Sequence, residues 1–425
     1  MLAMSEVLRV RRGAQEVVVL GAGMIGVSTA LELALRGHHV TLVDRRAPGR
    51  ETSYGNAGII QREAYEPYAL PRSLPTLLAM ALGRRLDVRC HANALWASLP
   101  ELMRYWWNSA PAMHRVISQQ YASLIVHAGG EHERYMALSG AEDMLRRPGL
   151  RLVYRTPRAL DESLRHAERL RREYGAAFAP MDGGALAAAE PALRMPLAGA
   201  VHWLDSWSVS DPGELVERYA NAFVQRGGHL VIGDADSLQQ TTTGWQVDSA
   251  AGRIQARHAV VALGPWADRC TRRLGYRLPL FVKRGYHRHY VGGDTLGVPT
   301  MDAERGYVLA PQRRGLRITT GAELALLDAP RNLSQLVGAE AQARMLLNLG
   351  APVESDPWFG SRPCSADMKP LIGPAPRHPG LWFNFGHGHQ GFTLGPASAR
   401  LLADLFEGTV PYTDPAGFLP SRFKR

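Results

Sequence analysis

The sequence predicts an α/β protein that is built on a βαβ unit close to its N-terminus, and three observations predict this. An apolar run at residues 17–20 leads into a glycine-rich turn. Apolar residues then recur at helical spacing as far as Leu35, and a second apolar run ends at Asp44. Strand, helix and strand in this order are typical of a parallel sheet whose strands are connected by helices.

The glycine-rich turn has the spacing Gly21-x-Gly23-x-x-Gly26. In dinucleotide-binding proteins the first glycine permits a tight turn, the second lets the backbone approach a pyrophosphate, and the third lets the helix pack closely. A bare GxGxxG also occurs in unrelated loops, so the flanking strands, the helix and the terminal acid carry the prediction. The residues predicted to bind phosphate, at the amino end of the helix, are Gly21, Ala22, Gly23, Met24, Ile25 and Gly26.

Asp44 and Arg45 are the next predicted cofactor contacts. Asp44 follows Gly26 at close to the offset of roughly 20 residues that is expected of a carboxylate binding a ribose hydroxyl. Alternatively, Arg45 and Arg46 could bind the 2′-phosphate of NADP, which would indicate NADP as the cofactor. Exposed loop arginines are usually only solvated charge, so the βαβ unit alone leaves the choice of dinucleotide open.

Length and composition limit the class of protein. The chain has 425 residues, more than the ~250 to 300 at which a single core stops growing, which predicts two domains. The formal net charge is +10, but the basic residues are dispersed and almost all are arginine, so no nucleic-acid partner is predicted. Cys90, Cys270 and Cys364 form no CxxC pair, and no metal site is predicted.

The longest apolar stretches are too short to cross a bilayer, which takes about 18 residues, and no signal-peptide segment precedes the first strand. The predicted location is therefore the cytoplasm. Residues 74–82 are rich in leucine and are followed by Arg84 and Arg85. This segment leaves open a peripheral association with the inner face of the cytoplasmic membrane, with a helix packed on its own domain as the alternative.

The middle of the chain returns to strands after a predicted helix. The helix begins at Ser210-Asp211-Pro212 and ends at Gly227-Gly228. Short strands are predicted at residues 230–232, 244–247 and 254–263. The last one leads into Gly264 and Trp266, which are predicted cofactor contacts because a cofactor-facing strand would end at such a glycine.

The C-terminal part resembles cofactor-binding sequence again, with a strand at residues 381–385, a glycine-rich loop at 386–391 and a helix at 396–406. Between these parts lie a mostly helical stretch from about residue 85 to 193 and a strand-like stretch from about 278 to 326. The predicted cofactor-binding domain is therefore discontinuous and comprises residues 14–85, 195–277 and 357–425. The second domain comprises residues 86–194 and 278–356.

Four further segments are more specific: ETSYGNAG at residues 51–58, GSRP at 360–363, KPLIG at 369–373 and FGHGHQGFT at 385–393. Together they resemble the FAD-dependent oxidoreductases of the D-amino-acid oxidase superfamily, and more closely the bacterial D-amino-acid dehydrogenase branch. The resemblance covers nearly the whole chain. It implies a glutathione-reductase-type Rossmann domain that binds FAD, with an inserted substrate domain of antiparallel sheet and helices, so that the protein is α+β overall.

The resemblance also implies which residues contact the flavin. Small residues after Ser53 would let the backbone pack against the isoalloxazine edge, and the glycine-rich loop would aim N–H groups at the flavin pyrimidine, where negative charge collects on reduction. Non-covalent FAD is expected, because Cys364 lies a few positions from the cysteine of covalently flavinylated relatives. The implied contacts are Thr52, Ser53, Asn56, Ala57, Gly58, Gly386, His387, Gly388, His389, Gln390, Gly391 and Thr393.

By the same resemblance Arg362 binds the substrate. A guanidinium holds a carboxylate by two parallel hydrogen bonds, which would fix Cα over flavin N5. Tyr286 and Tyr307, on predicted strands of the substrate domain, are candidate pocket residues, with core packing as the alternative. Neither His387 nor His389 is predicted to act as a base, since hydride transfer from a neutral amine requires none.

The predicted function is a dehydrogenase that oxidises the carbon–nitrogen bond of a D-amino acid, or of a cyclic secondary amino acid such as a hydroxyproline isomer. A hydride would pass to flavin N5 and the electrons then to a quinone or a partner protein. An oxidase that uses oxygen and a flavin-bearing subunit of a larger complex remain alternatives. The amino acid stays open, because Ala366, Met368 and His287 depart from the residues common in relatives.

Overall fold

The computed structural model describes residues 13–423; the predicted absence of a signal peptide concerns residues 1–12, outside this range. The α-helices in the described range are, in chain order, α1 (Met24–Leu35), α2 (Leu74–Ala81), α3 (Ala92–Ala97), α4 (Leu99–Asn108), α5 (Pro111–Ser139), α6 (Pro157–Tyr174), α7 (Gly183–Ala189), α8 (Pro212–Gln225), α9 (Ala267–Arg273), α10 (Ser334–Leu346) and α11 (Gly391–Glu407). The strands are β1 (Glu16–Leu20), β2 (His39–Asp44), β3 (Ile59–Ile60), β4 (Val88–Cys90), β5 (Leu145–Arg146), β6 (Leu150–Tyr154), β7 (Phe178–Asp182), β8 (Gly199–Trp203), β9 (Trp207–Val209), β10 (His229–Gln240), β11 (Trp245–Ser249), β12 (Gly252–Ala256), β13 (His258–Val261), β14 (Leu280–Val291), β15 (Thr300–Asp302), β16 (Tyr307–Gln312), β17 (Gly315–Thr319), β18 (Ala322–Leu324), β19 (Ala351–Pro352), β20 (Trp358–Ser365), β21 (Leu371–Pro374) and β22 (Leu381–Phe385).

One sheet has the strand order β12-β11-β10-β2-β1-β13-β22-β21. Its five central strands, from β10 to β22, run parallel. Strand β1 is apolar along residues 17–20 because both faces of the sheet are covered. Helices α1, α8 and α11 pack on one face, and strands β11 and β13 share a second core with α9 on the other. This parallel core confirms the predicted fold class.

Local predictions hold where the pattern is strong. Helix α1 ends at Leu35, and the Asp211 side chain accepts a hydrogen bond from Glu214 N at 3.0 Å as the N-cap of α8. The single strand predicted at residues 254–263 is wrong. It is two strands, since β12 pairs antiparallel with β11 at one edge while β13 pairs parallel with β1 in the centre.

The C-terminal helix begins at Gly391 rather than at Pro396, so that the proline lies inside it. A proline in a helix leaves the carbonyl of the residue four positions earlier without its N–H donor. Here that carbonyl belongs to Phe392, and it accepts a hydrogen bond from Nε2 of the buried His132 at 3.0 Å. The helix therefore continues through Pro396 because a distant side chain replaces the missing donor.

A second, eleven-stranded sheet contains β14 at its centre, where β14 pairs with β17, β18, β19 and β20. Two strands of this sheet, Gly199–Trp203 and Trp358–Ser365, fall in segments that the sequence assigns to the cofactor-binding domain. The predicted domain boundaries at residues 194/195 and 356/357 therefore do not coincide with the division between the two sheets. The division into two domains stays a prediction. A small third sheet joins β3, β9 and β5.

Candidate active site

A cavity of about 750 Å³ extends from the glycine-rich turn after β1 to the β14–β20 face of the second sheet. Five of the predicted cofactor contacts are not part of its wall: Ala22, Gly26, Gly58, Gln390 and Thr393. The predicted site residues that line it are Gly21, Gly23, Met24, Ile25, Asp44, Arg45, Thr52, Ser53, Asn56, Ala57, Gly264, Trp266, Arg362, Gly386, His387, Gly388, His389 and Gly391. The fold therefore brings most of the residues predicted from separate segments to one cavity.

The glycine-rich turn is fixed by its contacts with β2. Gly21, at φ 104°, adopts a conformation that favours glycine, and its N–H donates to Val43 O at 2.8 Å. The N–H of Ala22 donates to Oδ2 of Asp44 at 2.5 Å. A Cβ at Gly26 would lie 1.6 Å from Gly21 O, so only glycine permits this close approach of α1 to the turn.

Residues 52–58 connect helix α1 to the second sheet. Ser53 Oγ accepts a hydrogen bond from Met24 N at 2.9 Å, and Thr52 Oγ1 donates to Ser361 O at 2.9 Å. Asn56 Oδ1 accepts from Gly58 N at 2.8 Å. The polar side chains of this segment thus hold the cavity wall in place.

Arg45 forms the rim of the cavity near Asp44. Its guanidinium donates to Glu51 Oε1 at 2.7 and 2.9 Å and lies 4.2 Å from the centre of the Trp266 ring. A guanidinium already paired with a carboxylate has less capacity for a 2′-phosphate, which weakens the NADP interpretation.

The loop at residues 386–391 forms another wall, and α11 begins at its last residue, Gly391. His387 Nε2 lies 3.1 Å from Ser398 Oγ, and burial lowers the pKa of His387 to about 3. Burial also lowers the pKa of His389. Both imidazoles are therefore neutral near pH 7. Gln390 and Thr393, just behind the wall, bond to each other and to Gln61, which lines the cavity.

Arg362 presents its guanidinium to the cavity. One nitrogen donates to Gly321 O at 2.9 Å, and the other contacts are carbonyls at 3.5 Å. Among residues 13–423, no carboxylate forms an ion pair with it. Burial lowers the pKa of Arg362 from its ordinary value, yet the group remains charged near pH 7 because an arginine is so strongly basic.

Tyr286 and Tyr307 do not line the cavity, so their assignment as pocket residues is wrong. Side chains alternate between the two faces of a strand: Gly285 and Val308 face the cavity, and the tyrosines face the opposite side. Tyr286 Oη donates to Glu323 Oε2 at 2.8 Å and accepts from Asn332 N at 2.9 Å. Both rings are buried in the core between this sheet and α10.

Sequence reasoning missed several residues of the wall. Lys283 lines it, and its Nζ donates to Tyr105 Oη at 3.2 Å. Alternation along β14 could have indicated Lys283, because it shares a face with Gly285. The helical residues Leu95, Leu102 and Tyr105 carry no such signal, since only the tertiary structure brings α3 and α4 to the cavity.

Comparison with known proteins identifies the fold and its cofactor. The profile of the DAO family, described as FAD dependent oxidoreductase, matches residues 16–405. The chain belongs to this family. FAD is therefore the cofactor, and the alternative of NADP falls away.

Among relatives of this FAD-dependent oxidoreductase, a D-amino-acid oxidase from Bradyrhizobium diazoefficiens is 30% identical over 96% of this chain and 99% of its own length. A D-amino acid dehydrogenase from Cereibacter sphaeroides is 30% identical over 94% of this chain and 93% of its own. Among solved structures, glycine oxidase from Geobacillus kaustophilus has a TM-score of 0.72 at 22% identity, covering 97% of this chain and 99% of that one. L-proline dehydrogenase from P. horikoshii has a TM-score of 0.71 at 16% identity, with 97% and 98% covered, and these likenesses concern the fold alone.

The residues of this FAD-dependent oxidoreductase fit the cofactor. A Cβ at Gly264 would meet nothing within 4 Å, so this glycine faces open space, and a Cβ at Gly23 would meet only one atom, Ser53 Oγ at 3.3 Å. Helices α1 and α11 both begin at the cavity wall, where helix N-termini favour the negative charge of a pyrophosphate or of a reduced flavin. The volume lies in the range of roughly 300–1,000 Å³ that is usual for ligand sites.

Proposed function

We propose that this enzyme oxidises the carbon–nitrogen bond of a D-amino acid, or of a cyclic secondary amino acid such as a hydroxyproline isomer. The observation that carries the proposal is Arg362, a guanidinium without a carboxylate partner in the described part of the chain, in the same cavity as the dinucleotide turn. The names of the relatives agree with an amino-acid substrate.

When bound, FAD supplies the hydride acceptor. The protein's part is then to orient the substrate, and Arg362 would hold its carboxylate in a bidentate pair. His387 is buried and His389 is half-buried, and both imidazoles are neutral near pH 7, which is consistent with positional roles. The segment Thr52–Gly55 and the loop before α11, which line the cavity, would contact the flavin.

The proposal is tested by adding single D- and L-amino acids, and cyclic secondary amino acids, to the purified yellow protein without oxygen. Loss of the flavin absorbance near its visible maximum within seconds identifies a substrate. Arg362→Ala serves as the control for binding through the carboxylate. If no amino acid of either series reduces the flavin of a protein that dithionite reduces readily, the proposal is wrong.

We further propose that a quinone or a membrane-bound partner protein receives the electrons. Helix α2 exposes Leu74 and Leu78, at 76% and 60%, while Leu77 and Met80 of the same helix line the cavity. Helices α3 and α4 also line the cavity with one face, and large apolar side chains stand exposed on the other: Trp96, Leu99, Met103 and Trp107.

Exposed arginines accompany these apolar side chains, namely Arg72, Arg84 and Arg104. Apolar side chains beside arginines are suited to the surface of an anionic bilayer. No helix in residues 13–423 has the length and apolar character needed to cross a membrane. Reoxidation of the reduced enzyme by oxygen, compared with reoxidation by a soluble quinone, distinguishes an oxidase from a dehydrogenase.

A further inference from the structure

Lys283 and Arg362 are register partners on the antiparallel strands β14 and β20. Directly opposed residues of neighbouring strands place their side chains on the same face, with Cβ atoms about 4.5–5.5 Å apart. Both side chains line the cavity. The cavity therefore has one end at which two cationic groups lie side by side.

Neither cation is neutralised by the described part of the protein. The only hydrogen-bond acceptor found for Lys283 Nζ in residues 13–423 is the phenol oxygen of Tyr105, whose ring lies 4.5 Å away. Glu323, on the neighbouring strand β18, is the register partner of Arg284 and lies on the opposite face. There it is committed to Arg284 at 3.0 Å, His91 at 2.8 Å and Tyr286 at 2.8 Å.

The surroundings of Lys283 are mostly apolar. A buried cluster lies beside it, formed by Phe281, Tyr105, Leu324 and Cys364, and Leu102 packs against that cluster. A charge held among such groups is costly unless an anion pairs with it. The Arg362 guanidinium next to Lys283 adds repulsion, which a single α-carboxylate on Arg362 would relieve only in part.

We propose that Lys283 binds a second carboxylate of the substrate, so that the enzyme acts on an acidic amino acid with a carboxylate at the end of its side chain. Arg362 holds the α-carboxylate, Lys283 the side-chain carboxylate, and Leu95 and Leu102 contact the methylene groups between them. This assignment rests on the proposed function, in which Arg362 is the anchor for the α-carboxylate.

The first test measures binding alone and needs no turnover. Glutarate and valerate, a diacid and a monoacid of the same chain length, are titrated into the oxidised holoenzyme and followed by the change in flavin absorbance. We expect glutarate to bind about thirtyfold more tightly or better, and Lys283→Met to remove that preference. Equal affinity of the wild-type enzyme for the two acids would overturn the assignment.

The second test measures specificity in anaerobic flavin reduction, as the ratio of second-order rate constants for D-glutamate and D-norvaline. Lys283→Met should lower this ratio by about thirtyfold or more, and Lys283→Arg should restore part of it. Lys369→Met is the matched control, because Lys369 is buried outside the cavity wall and bonds to Gln120. Its ratio should equal that of the wild type.

The outcomes separate the two proposals. If D-norvaline reduces the flavin as well as D-glutamate does, or if Lys283→Met leaves the ratio unchanged, the amino-acid function stands and the role of Lys283 is wrong. If no amino acid reduces the flavin while glutarate still binds through Lys283, the acidic site stands and the proposed oxidation fails.

Discussion

Gly285 leaves space for Arg362. A Cβ at position 285 would lie 2.6 Å from Nη2 of Arg362 and 2.9 Å from Nη1, on the cavity side of the strand. The guanidinium therefore rests against bare backbone, and its other contacts are with backbone carbonyls. The position of the proposed anchor depends on a residue that has no side chain.

Gly285→Ala should displace the guanidinium while the flavin stays bound. A shift of about 1 Å at a substrate anchor can cost about a hundredfold in rate, so we expect anaerobic flavin reduction to slow by about tenfold to a hundredfold. Stopped-flow absorbance measures this. Gly130→Ala, on α5 with nothing within 4 Å of the added Cβ, is the control and should behave as the wild type.

Arg362→Ala should keep its FAD spectrum and lose substrate reduction by more than about tenfold, since a desolvated charge pair contributes about 2 to 5 kcal/mol. Arg362→Lys should recover only part of the loss, because an ammonium lacks the fork that orients the carboxylate. The measurement is flavin reduction against substrate concentration. An alanine variant as fast as the wild type at equally low concentration would place the carboxylate site elsewhere.

Gly23→Val should abolish FAD retention. Within the protein, the first carbon of the side chain would contact only Ser53 Oγ, at 3.3 Å, which a small shift of that side chain relieves. The loss of FAD would therefore report mainly on the space that the pyrophosphate needs. The ratio of flavin to protein absorbance after gel filtration measures it. Normal flavin content in a folded Gly23→Val protein would contradict the assignment of this turn.

FAD should be released by acid or heat. Burial raises the pKa of the Cys90 and Cys364 thiols, which keeps them protonated and poorly nucleophilic near pH 7. After precipitation in acid, the yellow colour should remain in the supernatant and run as FAD in chromatography. Colour that stays with the pelleted protein would instead indicate a covalent flavin.

Membrane association should depend on the exposed face of α2. Leu77 lines the cavity, so the informative double variant is Leu74→Asp with Leu78→Asp, which changes exposed side chains only. The wild type should float with anionic liposomes and the variant should not. Val337→Asp with Met345→Asp, at exposed apolar positions of α10, is the control and should float like the wild type. Failure of the wild type to float removes the proposal.

Met368 illustrates how a departure noted in the sequence becomes meaningful in the structure. The family resemblance implies glycine at this position, and within residues 13–423 Met368 is the sole non-glycine residue with a positive φ, 63°. A side chain in this conformation is strained. The sequence reveals the substitution, but the backbone angle that makes it costly comes from the turn between β20 and β21.

The sequence by itself determined β1, α1, β2 and the glycine turn, because periodicity, capping and the GxGxxG spacing are interactions between residues close in the chain. Only the tertiary structure decided which side chains line the cavity. Whether Tyr286 or Lys283 faces it depends on which side of β14 is covered, and α11 continues through Pro396 because His132, 260 positions from Phe392, supplies a donor. Such pairings join segments far apart in sequence, and local patterns carry no information about which distant strand or helix will lie alongside.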